Sequence, residues 1–177
     1  MNVFYLHEDP KICAEQHLDK HVVKMIIEYA QLMSTAHRML DGLEYEGRSK
    51  NNRKIKRYLA IDIVKEQTLY KACHNNHPSA VWTRASAKNY KWLYEMWSHL
   101  CDEFTYRYGK IHLTDSKLRK MLKEVPTNIP FNEFTEPTQA MPDDVKVIGD
   151  SITAYRQYYI KHKKGFATWK KDRQPEW

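Results

Sequence analysis

The sequence predicts an all-α fold, and three observations carry that expectation. Only 5 Gly and 7 Pro occur in 177 residues, too few for a succession of tight β-hairpins. Apolar residues recur at spacings of three, four and seven along several stretches, as one face of a helix requires. A hydrophobic fraction of 42%, with 12 Tyr and 5 Trp, is more than a disordered chain carries and enough to bury a core. The length suits one helical domain over residues 1–177. The expected architecture is a compact single-domain helical bundle with a long proline-containing loop and a basic, aromatic C-terminal tail.

The first helix is expected from about Pro10 or Ala14 to Leu40, closing at Gly42, which can take the left-handed conformation that ends helices. The segment "EYEGRSKNNRKIKR" brings Arg48, Lys50, Arg53, Lys54, Lys56 and Arg57 together and reads as a loop entering a second helix, Lys54 to Ala72. That helix would turn Ile55, Leu59, Ile63 and Leu69 toward the core. Pro78 disfavours helix at His77, so "CHNNHPSAVW" is a break. A third helix from about Ser86 to Tyr108 aligns Tyr90, Leu93, Tyr94, Trp97, Cys101, Phe104 and Tyr108 as a core-facing stripe. "LTDSKLRKMLKEV" is a short helix starting near Asp115. Prolines 126, 130, 137 and 142 exclude a long helix between Val125 and Gly149. Such a loop is often functional or wraps the body. Asp150 or Ser151 then caps the last helix, "SITAYRQYYIKHKK", and Gly165 precedes the tail "FATWKKDRQPEW".

A formal charge of +7 and a pI near 9.2 favour polyanionic partners such as nucleic acid, nucleotides or acidic lipid. Cys13, Cys73 and Cys101 are odd in number and lack a CxxC pair, which argues against a disulfide framework or a zinc ribbon and suits a reducing cytoplasm. The first residues carry no basic leader with an apolar core, and no run of about 18 apolar residues occurs, so neither secretion by that route nor a membrane partner is expected.

Candidate chemistry lies on the first helix. At 100° per residue His17, His21, Lys24, Glu28, Gln31 and Thr35 fall within about 80° of one another. Most of the remaining circumference is apolar, as on a central helix. Two readings stay open. The line is the solvated face of an amphipathic helix, with Lys24 and Glu28 as an i,i+4 pair of about 0.3–0.5 kcal/mol. Or it floors a cleft in which His17, His21, Lys24 and Glu28 act on an anionic ligand, Lys24 being a candidate imine-forming amine or phosphate contact and Glu28 or His21 a proton shuttle. Metal binding at His17 and His21, or at Cys73, His74 and His77, has the spacing but no fixed motif, and no metal or cofactor is assigned.

Two resemblances add to this. The run "AEQHL", the aromatic third helix and the tail "ATWKKDRQPEW" resemble the T-even phage pyrimidine-dimer DNA glycosylase family. That likeness implies a small basic all-α enzyme that flips a nucleotide and cleaves its glycosidic bond through an imine at the N-terminal amine, aided by a glutamate on the first helix. Gln16 and His17 match the family's Gln-His pair, which implies a contact near the lesion. Where the family has its glutamate this chain has Lys24, and the nearest carboxylate, Glu28, lies one turn on. The start also departs, with Met1 before the bulky Asn2, so the resemblance implies a site type rather than dimer-glycosylase activity itself. The segments "NNHPSAVWTRAS", "EFTYRYGKIH", "PTQAMPDD" and "AYRQYYI", which span more of the chain, resemble a group of uncharacterised phage-encoded proteins, implying the cytoplasm of an infected host cell.

The expected function is therefore a phage-type protein acting on DNA or a nucleotide, glycosylase/lyase-like or nucleotide-processing. Its nucleic-acid contacts would come from Gln16, Arg48, Lys50, Arg53, Lys54, His77, Trp82, Arg84, Arg107, Lys110, His112, Trp169 and Lys170. The alternatives are a non-catalytic module that binds nucleic acid or a nucleotide, including nucleotides used in host defence, and a purely structural or regulatory protein. No glycine-rich phosphate loop, GxSxG elbow or paired-carboxylate signature separates them.

Overall fold

Helix formation begins where Asp9 caps it. In the computed structural model, which describes residues 1–177, the Asp9 carboxylate accepts the N–H groups of Lys11 and Ile12 at 2.8 and 3.0 Å, and Pro10 occupies the first turn of α1 (Pro10–Glu15). The chain does not continue as one long helix. It breaks at residues 16–18 and restarts as α2 (Asp19–Asp41). The break is held from outside. The Arg107 guanidinium donates to the carbonyls of Glu15 and His17 at 2.8 and 2.9 Å, and the Asp19 N–H donates to the carbonyl of Thr168 at 2.8 Å.

The expectation of an all-α fold is corrected between residues 43 and 59. The single helix expected over 54–72 does not form; only Ile63–Thr68 of that stretch is helical. Instead β1 (Leu43–Arg48) pairs antiparallel with β2 (Lys54–Leu59), Leu43 facing Leu59 and Arg48 facing Lys54. The protein is thus mixed α/β, with seven α-helices and a two-stranded sheet, though mostly helical. Cross-strand pairs fit the register: Glu44 holds Lys56 at 2.8 Å and the Tyr58 hydroxyl at 3.0 Å, and Glu46 holds Lys54 at 3.1 Å. Arg38, buried on α2, anchors the returning strand by donating to the Tyr58 carbonyl at 3.1 Å and to the Tyr70 carbonyl at 2.7 Å, and it pairs with Glu66. Gly42 ends α2 in an extended conformation, φ −98°, not the left-handed one expected. It is needed for space, because a Cβ there would lie 2.3 Å from the Arg38 carbonyl oxygen and 2.7 Å from that of Leu59.

The chain continues through α3 (Ile63–Thr68), α4 (Pro78–Ala85), α5 (Ala87–Tyr108), α6 (Leu113–Leu122) and α7 (Ser151–Tyr158). α5 stops at Gly109, whose φ of 68° suits glycine and whose N–H donates to the Thr105 carbonyl. α2 and α5 run antiparallel through the core: the Trp97 indole donates to the Ile26 carbonyl at 2.9 Å, His37 meets the Tyr90 hydroxyl at 3.0 Å, and Arg107 reaches His17. The aromatic stripe of α5 is core as expected, with Tyr90, Leu93, Trp97, Cys101 and Phe104 buried. The apolar run Val3–Leu6 is also buried and lies against α2, its Phe4 N–H donating to the Tyr29 hydroxyl. The proline-containing loop wraps the body, pinned by the Trp82 indole and Asn89 at Thr135 and by the Tyr155 hydroxyl at the Thr138 carbonyl. No helix is long and apolar enough to cross a membrane.

Candidate functional site

The first three turns of α2 reach the surface through Lys20, Val23, Lys24, Ile27, Glu28 and Gln31, the helix is buried from Leu32 to Arg38, and its last residues, Met39 to Asp41, are part-exposed again. Glu28 is the focus of this strip. Its Oε1 lies 3.1 Å from the Nζ of Lys24, and its Oε2 lies 3.2 Å from the α-amine of Met1. The side chains of Met1 and Glu28 are withdrawn from water, at 7% and 15% exposure, whereas Lys24 is 69% exposed. The Lys24 contact is therefore the weak solvated pair the helix periodicity suggests, and the α-amine contact is the enclosed one. The burial of Val3–Leu6 holds Met1 there. That apolar run right behind the first two residues is the one local signal of an anchored amine, and helical periodicity does not reach it.

The two histidines of the expected line do not join this pair. His17 falls in the break between α1 and α2 and is buried. Its Nδ1–H donates to the Cys13 carbonyl at 2.8 Å, and its Nε2 accepts the Tyr29 hydroxyl at 2.8 Å, leaving no free lone pair. Burial pushes its pKa down to about 4. His21 packs against Phe4 with ring centroids 4.2 Å apart and its Nδ1 meets the Tyr159 hydroxyl at 2.7 Å. Burial, reinforced by the charges of His17, Lys163 and Lys24, pushes its pKa down to about 2. Both are neutral core residues, and no group of three or more His, Cys, Asp or Glu side chains is arranged to hold a metal ion.

His77 takes the place they were given. It caps α4, its Nδ1 accepting the Ser79 N–H at 3.1 Å. Burial lowers its pKa, the charges of the Met1 amine and His74 add to the lowering, and that of Glu28 opposes it. His74 holds a left-handed φ of 51°, a strained conformation for a non-glycine residue. The 73–77 loop then borders an open cleft of about 770 Å³, lined by Met39, Ile55, Lys56, Tyr58, His74, Asn75, Asn76 and His77, with no carboxylate among them.

The remaining expected contacts divide. Arg48, Lys50, Arg53 and Lys54 are exposed on the β1–β2 hairpin and its turn, free to meet a polyanion, although Lys54 is shared with Glu46. Lys110 and Lys170 are exposed as well. Trp82 is buried against Trp92 and Phe134, and Arg107 is buried with Glu103 at 2.7 Å and Asp19 at 3.0 Å, so both serve the fold. His112 caps α6 by accepting the Thr114 N–H. Trp169 donates its indole N–H to the Gln16 carbonyl, and the Lys170 N–H donates to Asp19, docking the tail onto the helix break. Gln16 itself keeps a buried Oε1 without a donor. No known family model matches the chain, and no characterised protein or solved structure matches it either.

Proposed function

We propose that the protein acts on nucleic acid as an imine-forming glycosylase or lyase, with the α-amine of Met1 as nucleophile and Glu28 as the proton-transfer group beside it. The observation that carries this reading is the enclosed 3.2 Å amine–carboxylate pair on the first long helix. It restores the amine-plus-glutamate site type that the T-even glycosylase resemblance implies, with Glu28 one turn beyond the family's position. α-Amines as a class titrate near 8, against about 10.4 for lysine, so they keep a larger nucleophilic fraction at neutral pH. In the step proposed, the amine nitrogen bonds to C1′ of a deoxyribose. The base, or the hydroxyl of an opened abasic sugar, leaves with the electrons of the broken bond and a proton. Glu28 takes the proton that the amine releases and passes it to the leaving group; where a base was displaced, the C1′–O4′ bond then opens as the nitrogen lone pair forms the imine and O4′ takes a proton from water, and Glu28 accepts the C2′ proton as the C3′–O bond breaks and the phosphate departs.

A second reading, a non-catalytic module that captures nucleic acid or a nucleotide, is favoured by the exposed Arg48, Lys50, Arg53 and Lys54 of the hairpin, which need no reacting group. Borohydride separates the two. Reduction of the 177-residue chain on an oligonucleotide with an abasic site should give a covalent adduct on the N-terminal peptide. Lys24→Arg should retain it, Glu28→Gln should slow it at least tenfold, and two residues added ahead of Met1 should abolish it. No adduct, or one that maps to an internal lysine, overturns the catalytic reading.

A further inference from the structure

His37, 2% exposed on α2, has an incomplete set of hydrogen bonds. The Tyr90 hydroxyl donates its one hydrogen to the Leu122 carbonyl at 2.9 Å, so at the 3.0 Å contact between Tyr90 and His37 the ring Nε2–H is the donor. Burial, reinforced by the charge of Lys65, pushes the His37 pKa down to about 4, and the ring is neutral at neutral pH. A neutral ring protonated at Nε2 carries a lone pair at Nδ1, and that atom has no partner. What faces it is a second acceptor, Asp41 Oδ2, 4.0 Å away. The Glu124 carbonyl beside the ring is an acceptor too. Asp41 accepts the N–H groups of Thr127 and Asn128 and the Asn128 side-chain amide, yet no lysine or arginine pairs with it.

His37 and Asp41 line the same cavity of about 310 Å³, whose other walls include the apolar Ile61 and Leu69 and the charged Asp62 and Lys65. Two carboxylates stand there against one ammonium. A donor atom about 2.9 Å from each acceptor closes a triangle on the 4.0 Å base, and it must bring two hydrogens. A hydroxyl brings one. Water brings two, but a single molecule occupies about 30 Å³ of a cavity of about 310 Å³. A guanidinium fork suits both oxygens of a carboxylate, and Asp41 Oδ1 is already taken by Asn128. A primary ammonium meets every requirement: its hydrogens reach Nδ1 and Oδ2, its charge answers Asp41, and an alkyl chain covers the apolar wall.

We propose that this cavity binds a primary alkylammonium, its ammonium group held between His37 Nδ1 and Asp41 Oδ2 and its carbon chain against Ile61 and Leu69. The site goes beyond the nucleic-acid reading and does not depend on Met1, Glu28 or the hairpin cations.

Long-range ¹H–¹⁵N spectra of the histidine rings at pH 7.5, recorded on the full chain during addition of butylammonium, test it. The free protein should show His37 as the Nε2–H tautomer, and butylammonium should move its Nδ1 resonance upfield and saturably. Butyltrimethylammonium, which has the charge and the chain but no N–H, should leave that resonance in place. In calorimetry Asp41→Asn should weaken butylammonium binding at least tenfold. Because Asp41 also holds Thr127 and Asn128, a second variant is Ile61→Lys, at a side chain 71% exposed, which should keep the wild-type melting temperature and weaken binding by a similar factor. An Nδ1–H tautomer in the free protein, or an equal response to the quaternary analogue, overturns the site. A resonance indifferent to butylammonium also overturns it and leaves water as the bridging donor. So does an affinity unchanged in both Asp41→Asn and Ile61→Lys.

Discussion

Acidification to pH 4 should unfold this protein, and buried histidines set the range. His17, His21 and His37 are all buried and neutral, each with a ring nitrogen bonded to a tyrosine hydroxyl: Tyr29, Tyr159 and Tyr90. Burial pushes their pKa values down to about 4, 2 and 4. Above the ordinary histidine value of about 6.5 neither folded nor unfolded chain binds these protons, and stability is independent of them. Below it the unfolded chain takes up protons that the folded one refuses, so stability falls with pH by up to about 1.4 kcal/mol per unit for each histidine. Between pH 6.5 and 4 His17 and His37 each withdraw about 3 kcal/mol, and His21 goes on losing below that. His77 and His112, also lowered by burial, act in the same direction. The combined loss is comparable with the whole stability of an ordinary domain, about 5–15 kcal/mol. Urea titrations followed by tryptophan fluorescence and far-ultraviolet circular dichroism at pH 7.5, 6.5, 5.5 and 5.0 would measure it. His17→Gln should cost about 1–3 kcal/mol at pH 7.5 and make the dependence shallower by about one proton. A stability constant within about 1 kcal/mol from pH 7.5 to 5.0 would refute the assignment of these residues as neutral core histidines.

Two further substitutions test where the expected contacts ended up. Arg107→Met removes a cation from two buried carboxylates and unties residues 15–17; because Glu103 keeps Arg173 at 3.1 Å, the expected loss is about 3 kcal/mol in urea melts, at the low end for a broken buried pair. Weakened nucleic-acid binding at unchanged stability would instead make Arg107 a ligand contact. Changing Arg48, Lys50 and Arg53 together to Gln should leave the fold intact, since all three are exposed, and should reduce the slope of log affinity against log salt by up to about 2–3 on a duplex. An unchanged slope takes the hairpin out of the interface.

Sequence periodicity was sufficient where a helix is both long and one-sided. The stripe from Tyr90 to Phe104 and the prolines of the wrapping loop are local signals and appear where those signals put them; α6 forms too, but it starts at Leu113 with His112 as its cap, not near Asp115, which pairs with Arg119 instead. Residues 54–69 carried two periods at once. Ile55, Leu59 and Ile63 repeat every four residues like a helix, while Lys54, Lys56 and Tyr58 alternate with the rest like a strand. Cross-strand carboxylates and the Arg38 anchor, both distant in the chain, decided for the strand. The helical line from His17 to Glu28 failed for the same kind of reason. Arg107 from α5 and Thr168 from the tail stabilise a break at residues 16–18 that has no glycine or proline to announce it, and the break turns His17 into the core. Local residue types chose the composition of the candidate site, its basic charge and its Lys24–Glu28 pair. Only tertiary packing could bring the Met1 amine to Glu28, because that contact joins segments that share no period and meet only when the core closes.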